Sequence, residues 1–338
     1  MTRSPLAPGY EICPVINGGW QLATDHGAGG HENALDHLLR LVDAGFHTFD
    51  CADIYTGVED LLGQLRRGRP DIQVHTKLVP DQEEITSLEK KDVEAAVDRS
   101  LVRLRTERID LVQLHWWDFS VPGYVETAIW LGELRDAGKI QLVGLTNFDV
   151  PHLREITEAG VPIATNQVQY SLLDQRPENG MVDACRKLGI RLLCYGVLAG
   201  GFLSGRYLGA GVPAEPLANR SLTKYRLILD EVGGWDALQA RLEALQEIAR
   251  RHRVSLATVA ARSILDRPAV AGVILGAATA AHADENLRLF ELELNAEDRS
   301  TLESLARSWT GVAGDIYSVE RQAGGPHEAI LRKNLRSP

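Results

Sequence analysis

Ala44-Gly45-Phe46-His47-Thr48-Phe49-Asp50 begins with the end of one element and closes with the end of another. Upstream, Leu35, Leu38, Leu39 and Val42 share one helical face. Gly45 follows that helix, in the place where a left-handed backbone stops a helix without a Cβ penalty. Downstream, Phe46 to Asp50 reads as a short buried strand that ends on a carboxylate. The same punctuation recurs at Ala137-Gly138-Lys139, Ala159-Gly160-Val161 and Leu188-Gly189-Ile190. Strands are expected after each, over Ile140 to Leu145, Ile163 to Val168 and Ile190 to Tyr195.

Other apolar runs, at Gln73 to Leu78, Ile109 to His115 and Ala269 to Leu275, belong to the same class. None alternates cleanly, as expected for a parallel sheet covered on both faces. Val93, Val97, Leu101 and Leu104 fall on one helical face, and so do Leu238, Leu242, Leu245 and Ala249. With a first strand around Val15 to Trp20, about eight strand-helix units result. Gly27-Ala28-Gly29-Gly30, after that first strand, lacks the third glycine of a dinucleotide fingerprint, and nearly every strand ends on a polar residue. Both observations favour a closed α/β (β/α)8 TIM barrel over an open sheet. A short N-terminal hairpin (about 9–15), a long loop after the seventh strand (about 198–235) and a polar C-terminal tail are expected around it. The expected organisation is one domain over 1–338, with the barrel at about 15–294 and the tail at about 295–338.

With 338 residues, 44% of them hydrophobic, the chain has material for a large core. A formal charge of −10 disfavours nucleic acid and anionic membranes as partners, because neither offers anything to an acidic surface. The basic run Arg66-Arg67-Gly68-Arg69 reads as a solvated helix end. Cys13, Cys51, Cys185 and Cys194 form no Cys-x-x-Cys pair and read as small reduced core residues. The start of the chain has no apolar signal core and no run is long enough to span a membrane, so the expected location is cytoplasmic. No metal-ligand spacing is present, and oligomeric state is left open.

In a barrel of this kind the C-terminal strand ends meet at one mouth. Asp50, Lys77, His115, Asn147, Gln167 and Tyr195 would gather there, with Tyr55 just beyond Asp50. These residues make an acid-base set. A tyrosine can protonate a carbonyl oxygen, a neighbouring ammonium favours its phenolate, and a carboxylate holds the ammonium in place. Tyr55, Lys77 and Asp50 supply that trio, and His115 can hydrogen-bond the substrate oxygen and orient it.

Gly45 to Tyr55, continued by Glu59, Leu61 and Gly63, resembles the aldo-keto reductase signature around its catalytic Asp and Tyr. His75-Thr76-Lys77 resembles the strand with the family's catalytic Lys, and Asp110 to His115 the strand ending in its catalytic His. The resemblance runs from about Val15 to Leu294 and implies the tetrad Asp50, Tyr55, Lys77 and His115. It implies an NAD(P)H-dependent oxidoreductase that interconverts an aldehyde or ketone and an alcohol. It further implies nicotinamide contacts from Thr146 (where the family has Ser), Asn147 and Gln167. Tyr195 would stack on the ring, although Gly196-Val197 replaces the usual Ser-Pro. The run Leu198 to Arg206, with Gly200 and Gly201, resembles the loop over the pyrophosphate, and Glu285-Asn286 the adenine pair. Around the 2′-phosphate the family often has Lys or Arg; here Gly276 to His282 offers only Thr279 and His282. NADP(H) is the first expectation, and NAD(H) remains open.

Trp20, Trp116 and Trp117, with Phe119, are candidates for an apolar substrate wall on the loops after the first and fourth strands. Trp235 and Trp309 reach substrate only if the long loop or the tail covers the mouth. Two other readings compete. Lys77 can serve as a Schiff-base nucleophile in a lyase or aldolase barrel, and some relatives of this fold are nucleotide-binding regulatory subunits with little turnover.

Overall fold

The computed structural model describes residues 3–23, 33–276, 283–307, 311–331 and 333. Eight strands close a parallel barrel: β3 (Val15–Gly18), β4 (Thr48–Asp50), β5 (Gln73–Leu78), β6 (Ile109–His115), β7 (Ile140–Thr146), β8 (Ile163–Gln169), β9 (Arg191–Tyr195) and β10 (Val270–Gly276), with β10 returning to β3. The Gly-stopped segments behave as their sequence dictates. Gly45, Gly138, Gly160 and Gly189 all have positive φ, between 71° and 98°. At all four the amide just after the glycine reaches back to close the turn, as Phe46 N to Leu41 O, Lys139 N to Leu134 O, Val161 N to Ile156 O and Ile190 N to Cys185 O.

The helices that follow the strands include α1 (Ala34–Asp43), α2 (Val58–Gly68), α3 (Lys90–Leu104), α4 (Tyr124–Asp136), α5 (Val150–Glu158) and α6 (Met181–Leu188). They bury the stripes read from sequence: Leu38 and Val42 on α1, Val93, Val97 and Leu104 on α3. Inside the barrel space is tight. A Cβ at Gly144 of β7 would lie 2.2 Å from Thr165 Oγ1 on the neighbouring strand, so only glycine fits there.

Three boundaries differ from expectation. The hairpin lies earlier than 9–15: β1 (Ser4–Ala7) pairs with β2 (Tyr10–Ile12) around Pro8-Gly9, and Cys13-Pro14 already lead into β3. Gly9 has φ +73°, which makes that dipeptide the turn. The excursion after β9 is not a plain loop. It holds two short 3-10 turns and then α7 (Arg220–Glu231), capped by the Asn219 side chain and burying Tyr225, Ile228 and Leu229. After α8 (Gly234–His252), α9 (Leu256–Leu265), β10 and α10 (Ala283–Glu291), the tail is likewise folded, as α11 (Ala296–Arg307), α12 (Ser318–Arg321) and α13 (Pro326–Ala329).

The tail reaches the C-terminal rim of the barrel. Asp315 Oδ2 accepts from Val150 N at the start of α5, and Asn179 Nδ2 donates to Gly314 O. Arg321 donates to the carbonyls of Trp116, Trp117 and Asn147, which end the fourth and fifth barrel strands. Among the described residues no helix is long and apolar enough to cross a membrane.

Candidate active site

Strand register brings the polar ends together. Asp50 pairs with His75, Lys77 with Gln113, His115 with Thr146, and Thr146 with Gln167, which places them along one rim. Lys77 lies two residues past His75 on β5, so both face the interior while Thr76 turns outward to Glu59 Oε1 at 2.6 Å. The Lys77 ammonium donates to both Asp50 oxygens, at 2.9 and 2.7 Å, and to Cys51 O at 2.8 Å. It lies 5.1 Å from the centroid of the Tyr55 ring. Burial pulls the Lys77 pKa down, but the Asp50 carboxylate outweighs it and holds the group above the usual lysine value.

Tyr55 behaves differently from the sequence argument. Burial raises its pKa above that of an ordinary phenol, and the opposing pull of Lys77 does not cancel the rise. The phenol is therefore kept protonated at neutral pH, as a proton donor requires. Trp20, a candidate for the substrate wall, packs on it at 4.9 Å between centroids.

His115 is buried and neutral: desolvation, with smaller contributions from Arg321 and Lys77, brings its pKa to about 3. Its Nδ1 lies 3.3 Å from Thr146 O. A carbonyl can only accept, so this bond puts the proton on Nδ1 and leaves Nε2 as an acceptor. Trp117 meets the imidazole edge-on at 4.4 Å, its own Nε1 donating to Pro80 O. Trp116 is not part of this wall. Strand alternation turns it outward, its ring is 0% exposed against Tyr124, and its Nε1 donates to Val121 O. Phe119 is also outside, stacked on His152 at 3.8 Å.

The residues expected around a nicotinamide line the same rim. Asn147 has φ +61°, an unusual conformation for a side chain bearer, and its Oδ1 accepts from Tyr195 Oη at 2.8 Å. Gln167 donates to Asp50 Oδ1 at 2.6 Å, so it supports the carboxylate that holds Lys77. Thr146 Oγ1 donates to Gln167 O. Past Tyr195 the backbone turns left-handed at Gly196, Gly200 and Gly201, while Leu198 is half-buried and Arg206 is exposed. Tyr225 of α7 packs onto this loop, where a Cβ on Gly196 would sit 2.3 Å from its hydroxyl. Glu285 and Asn286 lie in the first turn of α10, where Ser255 Oγ donates to Glu285 Oε1. Gly276 ends β10, and Thr279 and His282 lie outside the described residues.

The family model for the aldo/keto reductase family matches residues 14–307. The chain belongs to the aldo/keto reductase family. As a member it is an NAD(P)-dependent oxidoreductase. It is 31% identical over 255 residues to Protein tas of Escherichia coli, covering 68% of this chain and 70% of that protein. It is 32% identical to flagellar radial spoke protein 5 of Chlamydomonas reinhardtii over 64% of this chain, but spans only 49% of that protein. Among solved structures it resembles the glycerol dehydrogenase AKR11B4 from Gluconobacter oxydans, with a TM-score of 0.77 at 25% identity over 93% of this chain and 97% of that one. The thermostable aldo-keto reductase Tm1743 matches with a TM-score of 0.72 at 25% identity, over 90% of this chain and 100% of that one.

This aldo/keto reductase also has rim residues that sequence reasoning missed. Arg176, 1% exposed at its side chain, donates to Asp174 at 2.6 Å and to Glu320 Oε2 at 2.6 Å. Glu320 is held ionised, its pKa brought to about 2 because Arg176 outweighs burial. Lys224 on α7 faces the same carboxylate. Tyr317, just before α12, meets His115 edge-on at 5.7 Å between centroids. No local pattern marks these positions, because Arg176 and Glu320 stand 144 residues apart.

Proposed function

We propose that this oxidoreductase interconverts an aldehyde or ketone and its alcohol, with Tyr55 as the proton donor and acceptor at the oxygen. The supporting observation is the Lys77 ammonium, gripped by both Asp50 oxygens and set over the Tyr55 ring. When bound, a nicotinamide supplies or takes the hydride. The chain's residues do the rest. Tyr55 meets the carbonyl oxygen with its proton, and Lys77 stabilises the phenolate left behind. Asp50, steadied by Gln167, keeps Lys77 in place. His115 Nε2 accepts from the hydroxyl once it has formed, so His115 favours the alcohol form of the pair. Trp20 and Trp117 bound the substrate on two sides.

The donor set fits a nicotinamide: the Asn147 amide, the Tyr195 ring and the left-handed glycines after β9 offer an amide partner, a stacking face and open backbone amides. Thr146, Gln167, Glu285 and Asn286 complete the set. NADP(H) is the preferred cofactor and NAD(H) the alternative, since a 2′-phosphate would find no Lys or Arg over 276–282. One relative, 27% identical, is named an NADH-specific methylglyoxal reductase. The Lys77 Schiff-base reading is disfavoured: its three N–H groups are all engaged and its pKa is raised, whereas an amine nucleophile must be free and neutral. Barrel, loop and tail are proposed to act as one domain. Titrating NADPH and NADH by fluorescence, and then offering a carbonyl panel with the tighter one, tests the reading. Tight nucleotide binding without turnover of any carbonyl would overturn it.

A further inference from the structure

Lys224 carries a charge that the fold does not satisfy. Among the described residues its ammonium has one ion-pair contact, 3.7 Å to Glu320 Oε1. That oxygen already accepts from Arg176 Nη2 at 3.1 Å. The rings of Tyr195, Tyr317 and Tyr225, at 5.1, 5.5 and 5.9 Å, surround the rest. The side chain keeps 17% of its surface. Burial accordingly lowers its pKa, with Glu320 resisting the fall.

The charges nearby nearly all have partners of their own. Asp174 and Glu320 stand against Arg176, Lys224 and Arg321, and Arg321 Nη1 is buried without a hydrogen-bond partner. Lys77 and Asp50 cancel. Asp149, whose charge acts on Arg321, is hydrogen-bonded to His152, and Asp315 accepts from the Val150 amide. The result is a cation at the mouth, between the ring expected to back the nicotinamide and the Tyr317 ring that touches His115.

We propose that Lys224 recognises an acid group, a carboxylate or a phosphate monoester, carried by the carbonyl substrate a few bonds from its reacting carbon. A substrate anion would give the ammonium the charge-assisted bonds it lacks in the folded chain. The proposal rests on the carbonyl-reduction reading and adds its substrate class.

The test compares 4-oxobutanoate with its methyl ester, and glyceraldehyde 3-phosphate with glyceraldehyde, in the wild type, Lys224→Met and Lys224→Arg. Expected is a kcat/KM preference of the wild type for the acid in at least one pair. That ratio should fall about tenfold or more in Lys224→Met, through KM, and largely return in Lys224→Arg, since hydrogen bonds to charged groups are worth about that factor. The pair that shows the preference says whether carboxylate or phosphate is the source. Circular dichroism and nucleotide titration accompany each variant. Turnover of the neutral partner with no preference for the acid overturns the anion site and leaves carbonyl reduction standing. So does a Lys224→Met variant that loses nucleotide affinity while keeping the ratio, because Lys224 then serves the cofactor. No turnover of any of the four compounds, with nucleotide bound, overturns the carbonyl reading and this proposal with it.

Discussion

The two ends of the barrel hold similar groups in opposite circumstances. At the bottom, the hairpin sends Tyr10 up to His75, whose Nε2 lies 3.2 Å from the phenol oxygen. At the mouth, Tyr55 lies over Lys77 and His115 is fixed by Thr146 O. Both histidines are 4% exposed or less and neutral, His75 with a pKa near 4 and His115 with one near 3, in each case chiefly through burial. Both tyrosines have raised values for the same reason. A shifted titration therefore does not distinguish a plug from a reaction centre. What differs is the company. The bottom pair bonds to itself, leaves His75 Nδ1 without a partner, and has Asp110, Arg66 and Arg3 rather than a lysine as the charges acting on its phenol, whereas the mouth pair adjoins a lysine and carboxylate and is walled by residues from distant segments.

The largest expected difference is in rate. Replacing Tyr55→Phe should lower kcat for carbonyl reduction by about 10³-fold, within the range of a lost general acid. Tyr10→Phe should change it less than threefold. Steady-state kinetics on one carbonyl, with nucleotide affinity measured alongside, decides the matter. Equal losses in the two variants would erase the distinction between the ends.

Next comes the fastening of the tail over the mouth. Arg176→Met leaves Asp174 and Glu320 buried without their guanidinium, at a cost of about 3–5 kcal/mol when one partner of a buried pair is removed. Urea unfolding should show this loss, and removing both Arg176 and Glu320 should be milder than the sum of the single changes. A loss under about 1 kcal/mol would mean that the tail is held by its other contacts, Asp315 to α5 and Arg321 to the strand ends.

Reading the chain in order reveals the bottom-to-top direction of the barrel and most of the mouth, because each strand ends on the residue that faces the site. Asp50 and His115 end their strands and Lys77 is one residue short of the end of β5, and the glycines that stop α1, α4, α5 and α6 announce the strand that follows. The cover over the mouth was not legible. Lys224 is one polar residue in an amphipathic helix, and Glu320 and Arg321 sit in a short helix of a polar tail. Their meaning comes only from contacts with Arg176 and the ends of β6 and β7. Trp116 misled for a related reason: a residue beside a catalytic candidate on a strand points the other way, so sequence adjacency to His115 places it outside the barrel. The direction of the Tyr55 shift was missed because the pull of Lys77 is visible in a motif and burial is not.

Acid tests both ends at once, with effects spread over several pH units. Each histidine has a folded pKa below its unfolded value of 6.5, near 4 for His75 and near 3 for His115, so the unfolded chain takes up protons first as pH falls. Their contribution is complete above pH 6.5 and is lost as pH drops toward those folded values. Glu320 joins only below its ordinary value of 4.5, since its folded value is near 2. Between pH 6.5 and 4.5, stability should therefore fall by a few kcal/mol on the histidines' account, about 1.4 kcal/mol for each pH unit and each group. His75→Asn should lose about 1 kcal/mol at neutral pH, the worth of its bond to Tyr10, and remove about half of that slope. Its kcat should stay within twofold of the wild type, whereas His115→Asn should remove a similar share of the slope and lower kcat as well. Urea titrations at three pH values, paired with kinetics, separate the two. If His75→Asn slowed the reaction as much as His115→Asn, the bottom of the barrel would be coupled to the mouth through the strand that carries both His75 and Lys77.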